Sequence, residues 1–116
     1  MQIIKERVIP IKGDLVLEGL GIAPHIRKTL TDEVEVILNT AASINFDDPL
    51  RDALQINYFG ARRILDLAHE CKNLLALHHV STSYVNTYLP NNSFIQEEIL
   101  PFPYGPDWEE WVEKLV

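Results

Sequence analysis

Val34-Glu35-Val36-Ile37-Leu38-Asn39-Thr40-Ala41-Ala42 is the stretch on which the fold of this chain turns. It begins with apolar and β-branched residues in near-continuous succession and ends in small and polar ones. Such a run marks a strand covered on both faces of a parallel sheet, whereas a strand with one wet face alternates. Leu74-Leu75-Ala76-Leu77-His78-His79-Val80 repeats the texture and passes into Ser81-Thr82-Ser83-Tyr84. Val8-Ile9-Pro10-Ile11 reads as one more strand, the first in chain order, with Pro10 suited to an edge or a strand end.

Between Val34–Leu38 and Leu74–Val80 the apolar pattern becomes that of a helix. Leu50, Ala53, Leu54, Ala61, Ile64, Leu65 and Ala68 form an apolar stripe, with Asp48 as its cap and Pro49 at the first helical position. Gly60 within the stripe costs about 1 kcal/mol relative to alanine, which implies close packing there. A shorter helix is expected from Ala23 to Leu30. Strand–helix–strand–helix–strand predicts an α/β fold: a partial Rossmann-like, doubly wound parallel sheet of three parallel strands with crossover helices. One partial NAD(P)-binding domain over 1–116 is expected, with sheet and helices in 1–85. A loop rich in Asn and Pro should follow over 86–106, and a helix should start in 107–116.

Composition narrows the function. The net charge is −7 over 116 residues, so nucleic acid and anionic membrane surfaces, which require surplus Lys and Arg, are poor partners. Cys71 is the single cysteine; it excludes an intrachain disulfide and reads as a small packed residue. The residues from Met1 to Arg7 mix charge early, unlike a signal peptide, and no run is long enough to span a bilayer. The histidines His25, His69, His78 and His79 lack metal-ligand spacing, so no metal is expected.

Ligands of open α/β sheets bind beyond the carboxyl ends of the strands. Gly13-Asp14-Leu15 would follow the first strand; Asp14 suits either an adenine amino group or a turn in which it accepts backbone amides. Asn39-Thr40-Ala41-Ala42 follows the second, and its small residues suit either a flat ligand or tight helix packing. Ser81-Thr82-Ser83-Tyr84 follows the third with three hydroxyls and a phenol, the donors that a developing alkoxide requires. Asn57 falls on the inward stripe of the long helix and suits an active-site support or a brace on the neighbouring strand. None of Tyr58, Tyr84, Tyr88 and Tyr104 has Lys four residues on, and no glycine-rich dinucleotide fingerprint is present.

Taken in order, several blocks resemble the fatty acyl-CoA reductases. They are Val8–Leu15; Val36-Ile37-Leu38-Asn39-Thr40-Ala41-Ala42-Ser43-Ile44-Asn45-Phe46-Asp47; Ala53–Ala68; and His79-Val80-Ser81-Thr82-Ser83-Tyr84-Val85-Asn86. Glu97-Glu98 followed by Pro101 and Pro103 continues the likeness. That resemblance implies an extended Rossmann fold and NADPH-dependent reduction of long-chain acyl-CoA to alcohol through an aldehyde. It implies that Asp14 and Leu15 sit by the adenine and that Asn39, Ala41 and Ala42 line the cofactor. Asn57 would support the site, and Thr82, or else Ser81 or Ser83, would be the hydroxyl of a Ser/Thr–Tyr–Lys set. The family's TGxxGFxG loop and YxxxK pair match nothing in these residues, so the expectation is a fragment inactive alone. The resemblance also points to peroxisomal or endoplasmic-reticulum membranes.

Two other readings compete. A split or degenerate reductase piece would act as a non-catalytic module, with a protein partner covering its open sheet edge. Another extended short-chain enzyme, such as a sugar-nucleotide epimerase or the reductase module of a carboxylic acid reductase, is the other; Ser43–Asp47 reads as the acyl reductases' AAxxxF pattern and favours them.

Overall fold

A computed structural model describes residues 6–100, 105 and 107–116. Met1–Lys5, Pro101, Pro103 and Tyr104, all named above, lie outside them. Two parallel strands, β1 (Val36–Asn39) and β2 (Ala76–His79), form the sheet among the described residues. Val36 pairs with Ala76 and Asn39 with His79. Leu75 and Val80 donate their N–H groups to Glu35 and Asn39 carbonyls at 2.7 and 2.9 Å, extending the ladder at both ends.

The strand expected at Val8–Ile11 does not form. Residues 8–14 are neither helix nor strand, and Ile9 is 83% exposed. Pro10 brings no N–H to a ladder, and the backbone beyond it is claimed elsewhere: Asp14 N–H donates to the Leu20 carbonyl at 2.8 Å. The mixed helix-and-strand architecture with parallel pairing therefore stands, with two strands where three were expected.

Nor is the sheet covered on both faces. Ile37 is half-buried and Asn39 buried, whereas Val36 and Leu38 are 57% and 66% exposed. The packed face is the one that carries Ile37 and Asn39.

Helix α1 (Pro24–Glu33) runs three residues past the expected end, with Pro24 in the first turn, where a missing N–H costs nothing. The long helix is one rod of three parts: α2 (Leu50–Ala53), a π-helical segment (Leu54–Phe59) and α3 (Gly60–Glu70). Pro49, not Asp48, stands at its N-cap and accepts from the Asp52 and Ala53 N–H groups at 2.9 and 3.0 Å. The Asp48 carboxylate instead accepts from Ser43 Oγ and, at 2.7 Å, from Asn45 Nδ2, so a local turn outcompetes the cap. The π segment adds a residue to its turns and rotates the stripe. Beyond it Leu65 is exposed and Leu67 is buried beside Ala68; Leu50, ahead of it in α2, is exposed as well.

Gly60 packs closely, as expected: a Cβ there would lie 3.2 Å from Leu15 Cβ. Leu20 is 4% exposed and adopts φ +63° between Gly19 and Gly21 at φ +59° and +58°. A side chain disfavours that region, so burial of Leu20 offsets local strain. Arg27 of α1 donates to both Glu70 oxygens at 2.9 and 2.7 Å and to the Gly19 carbonyl at 2.9 Å, tying helix to helix and to the strained turn. These hydrogen bonds raise the Arg27 pKa and hold the Glu70 carboxyl below its usual range. Cys71 is half-buried, with Sγ 3.9 Å from the Leu30 carbonyl; burial pushes its thiol up, as for an unreactive packed cysteine. After β2, a 3₁₀ turn (Ser83–Asn86) leads to residues 87–100 without helix or strand. Helix α4 (Trp108–Lys114) meets the π segment through Tyr58 and Trp108, whose rings stand edge to face at 5.7 Å.

Asp32 joins α1 to the approach to β2. It accepts from Lys28 Nζ at 2.5 Å and Lys72 Nζ at 2.6 Å, and these hydrogen bonds lower its pKa from 3.8 to about 2. A carboxyl depressed by folding stabilises above its unfolded value and loses that contribution as pH falls through the folded one. The thermal midpoint of the chain should therefore exceed that of Asp32→Asn near neutral pH, and the gap should close between 3.8 and about 2. A gap of constant size down to acid pH would refute the assignment. Salt should also shrink it, because the group is on the surface.

Candidate functional site at the carboxyl ends of the strands

Parallel pairing sends the segments after β1 and β2 out of the same edge of the sheet. Asn39–Ala42 and Ser81–Tyr84 thus share one edge, as the strand-end rule requires. Asn39 is 6% exposed; its Oδ1 accepts from Ala41 N–H at 3.2 Å, and its Nδ2 lies 3.1 Å from His79 Nδ1. Ala41 and Ala42 are exposed. Asn39 is thereby a brace beneath the turn, while the alanines form its surface.

Asn57 belongs to the π segment and is exposed, not buried on an inward stripe as the helical period implied; the added residue per turn rotates it outward. Its amide is nonetheless committed. Oδ1 accepts from Ser43 N–H at 2.8 Å, and Nδ2 donates to the Ser43 carbonyl at 3.1 Å. The bracing alternative is the one observed, with the loop after β1 as its object.

At the other strand end, Thr82 Oγ1 accepts from Tyr84 N–H at 3.2 Å and caps the 3₁₀ turn. With its oxygen so engaged, the hydroxyl hydrogen can point outward to an acceptor. Ser81 and Ser83 flank it and are exposed. Phe46 and Tyr84 bridge the two loops edge to face at 5.8 Å. Phe46, Ile44 and Tyr84 are 86%, 88% and 62% exposed, so the rim of this edge is apolar.

Asp14 and Leu15 are held against the long helix. Asp14 Oδ1 accepts from Val16 N–H at 3.0 Å, the turn alternative. The Leu15 carbonyl accepts from Arg63 Nη1 at 2.8 Å, and its side chain packs on Gly60, one turn beyond Asn57. Asp14 is therefore carried by the long helix and not by a strand end. A cavity of about 530 Å³ lies around Arg27, Asp66 and Glu70, and one of about 670 Å³ lies beside the 43–48 turn, lined by Val16, Asp48, Asp52, Ile56 and Arg63 among others. The strand-end site is an open surface. Sequence reasoning missed His79 as the partner of Asn39 and Asp48 as the anchor of the 43–48 turn. Only the strand register reveals the first; the second was visible as Ser, Asn and Asp crowded within six residues, a composition that makes local turns.

Residues 1–111 match the NAD-binding family model described as male sterility protein. The chain belongs to that family. Its relatives include fatty acyl-CoA reductase wat of Drosophila melanogaster, 42% identical over 75% of the chain and 16% of the relative. Fatty acyl-CoA reductase 8 of Arabidopsis thaliana is 36% identical over 84% of the chain and 21% of its own length. Fatty acyl-CoA reductase 1 of Homo sapiens is 32% identical over 94% and 21%. The chain spans about a fifth of the length of such relatives. Among the described residues no helix is long and apolar enough to cross a membrane, and no group of three or more His, Cys, Asp or Glu is placed to hold a metal.

Proposed function

We propose that this chain forms the middle of the Rossmann-like cofactor domain of an NADPH-dependent fatty acyl-CoA reductase, acting on long-chain acyl-CoA, and that it is inactive alone. The observation that carries the reading is the parallel register of β1 and β2, which puts the alanine turn and the hydroxyl cluster on one edge. The family match and the names of the relatives supply the substrate class.

The residues fit a nicotinamide cofactor on chemical grounds. Ala41 and Ala42 are small and exposed, and they lie between two anchors, Ala41 N–H on the Asn39 amide and Ser43 N–H on the Asn57 amide, a firm floor for a flat ring system. Asp14 keeps acceptor capacity after its bond to Val16, because a carboxylate takes about four hydrogen bonds. Bound there, the cofactor supplies the hydride. The chain's own part is to hold the carbonyl oxygen through the Thr82 hydroxyl, with Ser81 and Ser83 as alternatives, and to keep the floor rigid through Asn57. The apolar rim of Ile44, Phe46 and Tyr84 suits an alkyl chain.

Grafting supplies the test. Put in place of the matching residues of human fatty acyl-CoA reductase 1, these 116 residues should sustain NADPH oxidation on palmitoyl-CoA. The isolated chain should show none. A folded but inactive graft, or turnover by the isolated chain, would count against the reading.

The non-catalytic alternative is favoured by one observation, the bare sheet face of Val36 and Leu38. A protein partner covering that face and the open edge would raise the native mass above that of a monomer.

A further inference from the structure

Two donors and two acceptors at the end of the sheet determine one another. The Ala41 N–H is a donor only, so the Asn39 atom that meets it at 3.2 Å is the carbonyl oxygen Oδ1. The Asn39 atom facing His79 is then Nδ2, which only donates. His79 Nδ1, 3.1 Å away, must therefore be the unprotonated, accepting nitrogen, and the ring proton sits on Nε2. Asn39 is buried, so an amide that lost this acceptor would keep an unsatisfied N–H or turn over and abandon Ala41. Register enforces the meeting: Asn39 and His79 are paired across the ladder and project on the same face, on which Asn39 is buried and His79 exposed.

We propose that His79 is a positioning residue for the strand-end site. It holds the Asn39 amide in the one orientation that pins Ala41 N–H, and so sets the shape of the Thr40–Ala42 turn. The inference rests on the cofactor reading only for what the turn receives; the bonding chain stands without it. Val80 N–H to the Asn39 carbonyl at 2.9 Å ties the two strand ends from the backbone side and would survive loss of the imidazole, so the strands stay paired in a variant.

Nitrogen-15 resonance of the whole chain tests it. Near pH 8 the His79 ring should show a protonated Nε2 and a bare Nδ1. His79→Leu should speed hydrogen exchange at Ala41 by about tenfold, the effect of losing roughly one part-buried hydrogen bond. His79→Asn, whose Oδ1 falls near the position of Nδ1, should restore protection to within about threefold. A protonated Nδ1, or Ala41 exchange unchanged in His79→Leu, would overturn the proposal. So would equal loss in both variants, because a role that was packing alone would not distinguish them. Adding NADPH to the grafted reductase separates the two ideas: loss of Ala41 protection in His79→Leu with no cofactor response at Ala41 in any variant upholds the bonding chain and sinks the cofactor reading.

Discussion

Replacing Thr82 by valine in the grafted reductase is expected to lower the turnover number on palmitoyl-CoA by about 100- to 1000-fold, with the Michaelis constant little changed. The magnitude is that of removing one preorganised donor from a developing oxyanion. Valine keeps the shape and the β-branch but loses the cap on Tyr84 N–H as well as the outward hydroxyl. Thr82→Ser keeps both, and should stay within about tenfold of the parent. If valine and serine behaved alike, the carbonyl would be held by Ser81 or Ser83, and those positions would inherit the prediction. A drop confined to the Michaelis constant would mean that Thr82 shapes the loop and does not meet the reacting oxygen.

The second large effect concerns stability. Among the described residues Leu20, Leu67 and Ala68 are the buried apolar core, a small one for the length. Leu67→Ala should cost about 2–4 kcal/mol, the usual range for emptying a leucine site. Small domains hold only about 5–15 kcal/mol in all, and this core is thin, so the variant should populate unfolded chain at room temperature. Urea titration followed by circular dichroism reads it directly. Leu65→Ala, two residues away but 43% exposed, should cost less than about 1 kcal/mol. Equal costs at the two sites would contradict the rotated stripe.

That pair of leucines shows where the sequence stops being legible. The apolar period located the rod between the strands, and the runs at Val34–Leu38 and Leu74–Val80 located both strands within two residues. What the period could not show is the π segment, because one extra residue per turn leaves composition untouched while changing which side chains face inward. It made Leu65 look inward and Asn57 buried. Pro10 was read as the mark of an edge or a strand end, and the competing claim that settles the matter, Leu20 drawing in Asp14, depends on a left-handed leucine that no propensity favours.

The site divides the same way. The place of Asn39, Ala41, Ala42, Ser81 and Thr82 at the strand ends was legible because a parallel strand must release its chain at a known edge, which is topology read through apolar texture. His79 was not found, since cross-strand pairing is a matter of register and the two histidines in sequence look interchangeable. Only one of them lies opposite Asn39.

The central claim is that the two strand ends serve one ligand. Hydrogen exchange of the grafted reductase, with and without NADPH, measures this most directly. Protection should rise together in residues 39–43 and 80–84. Protection limited to one of them, or gathered instead around Arg27 and Glu70, would contradict it.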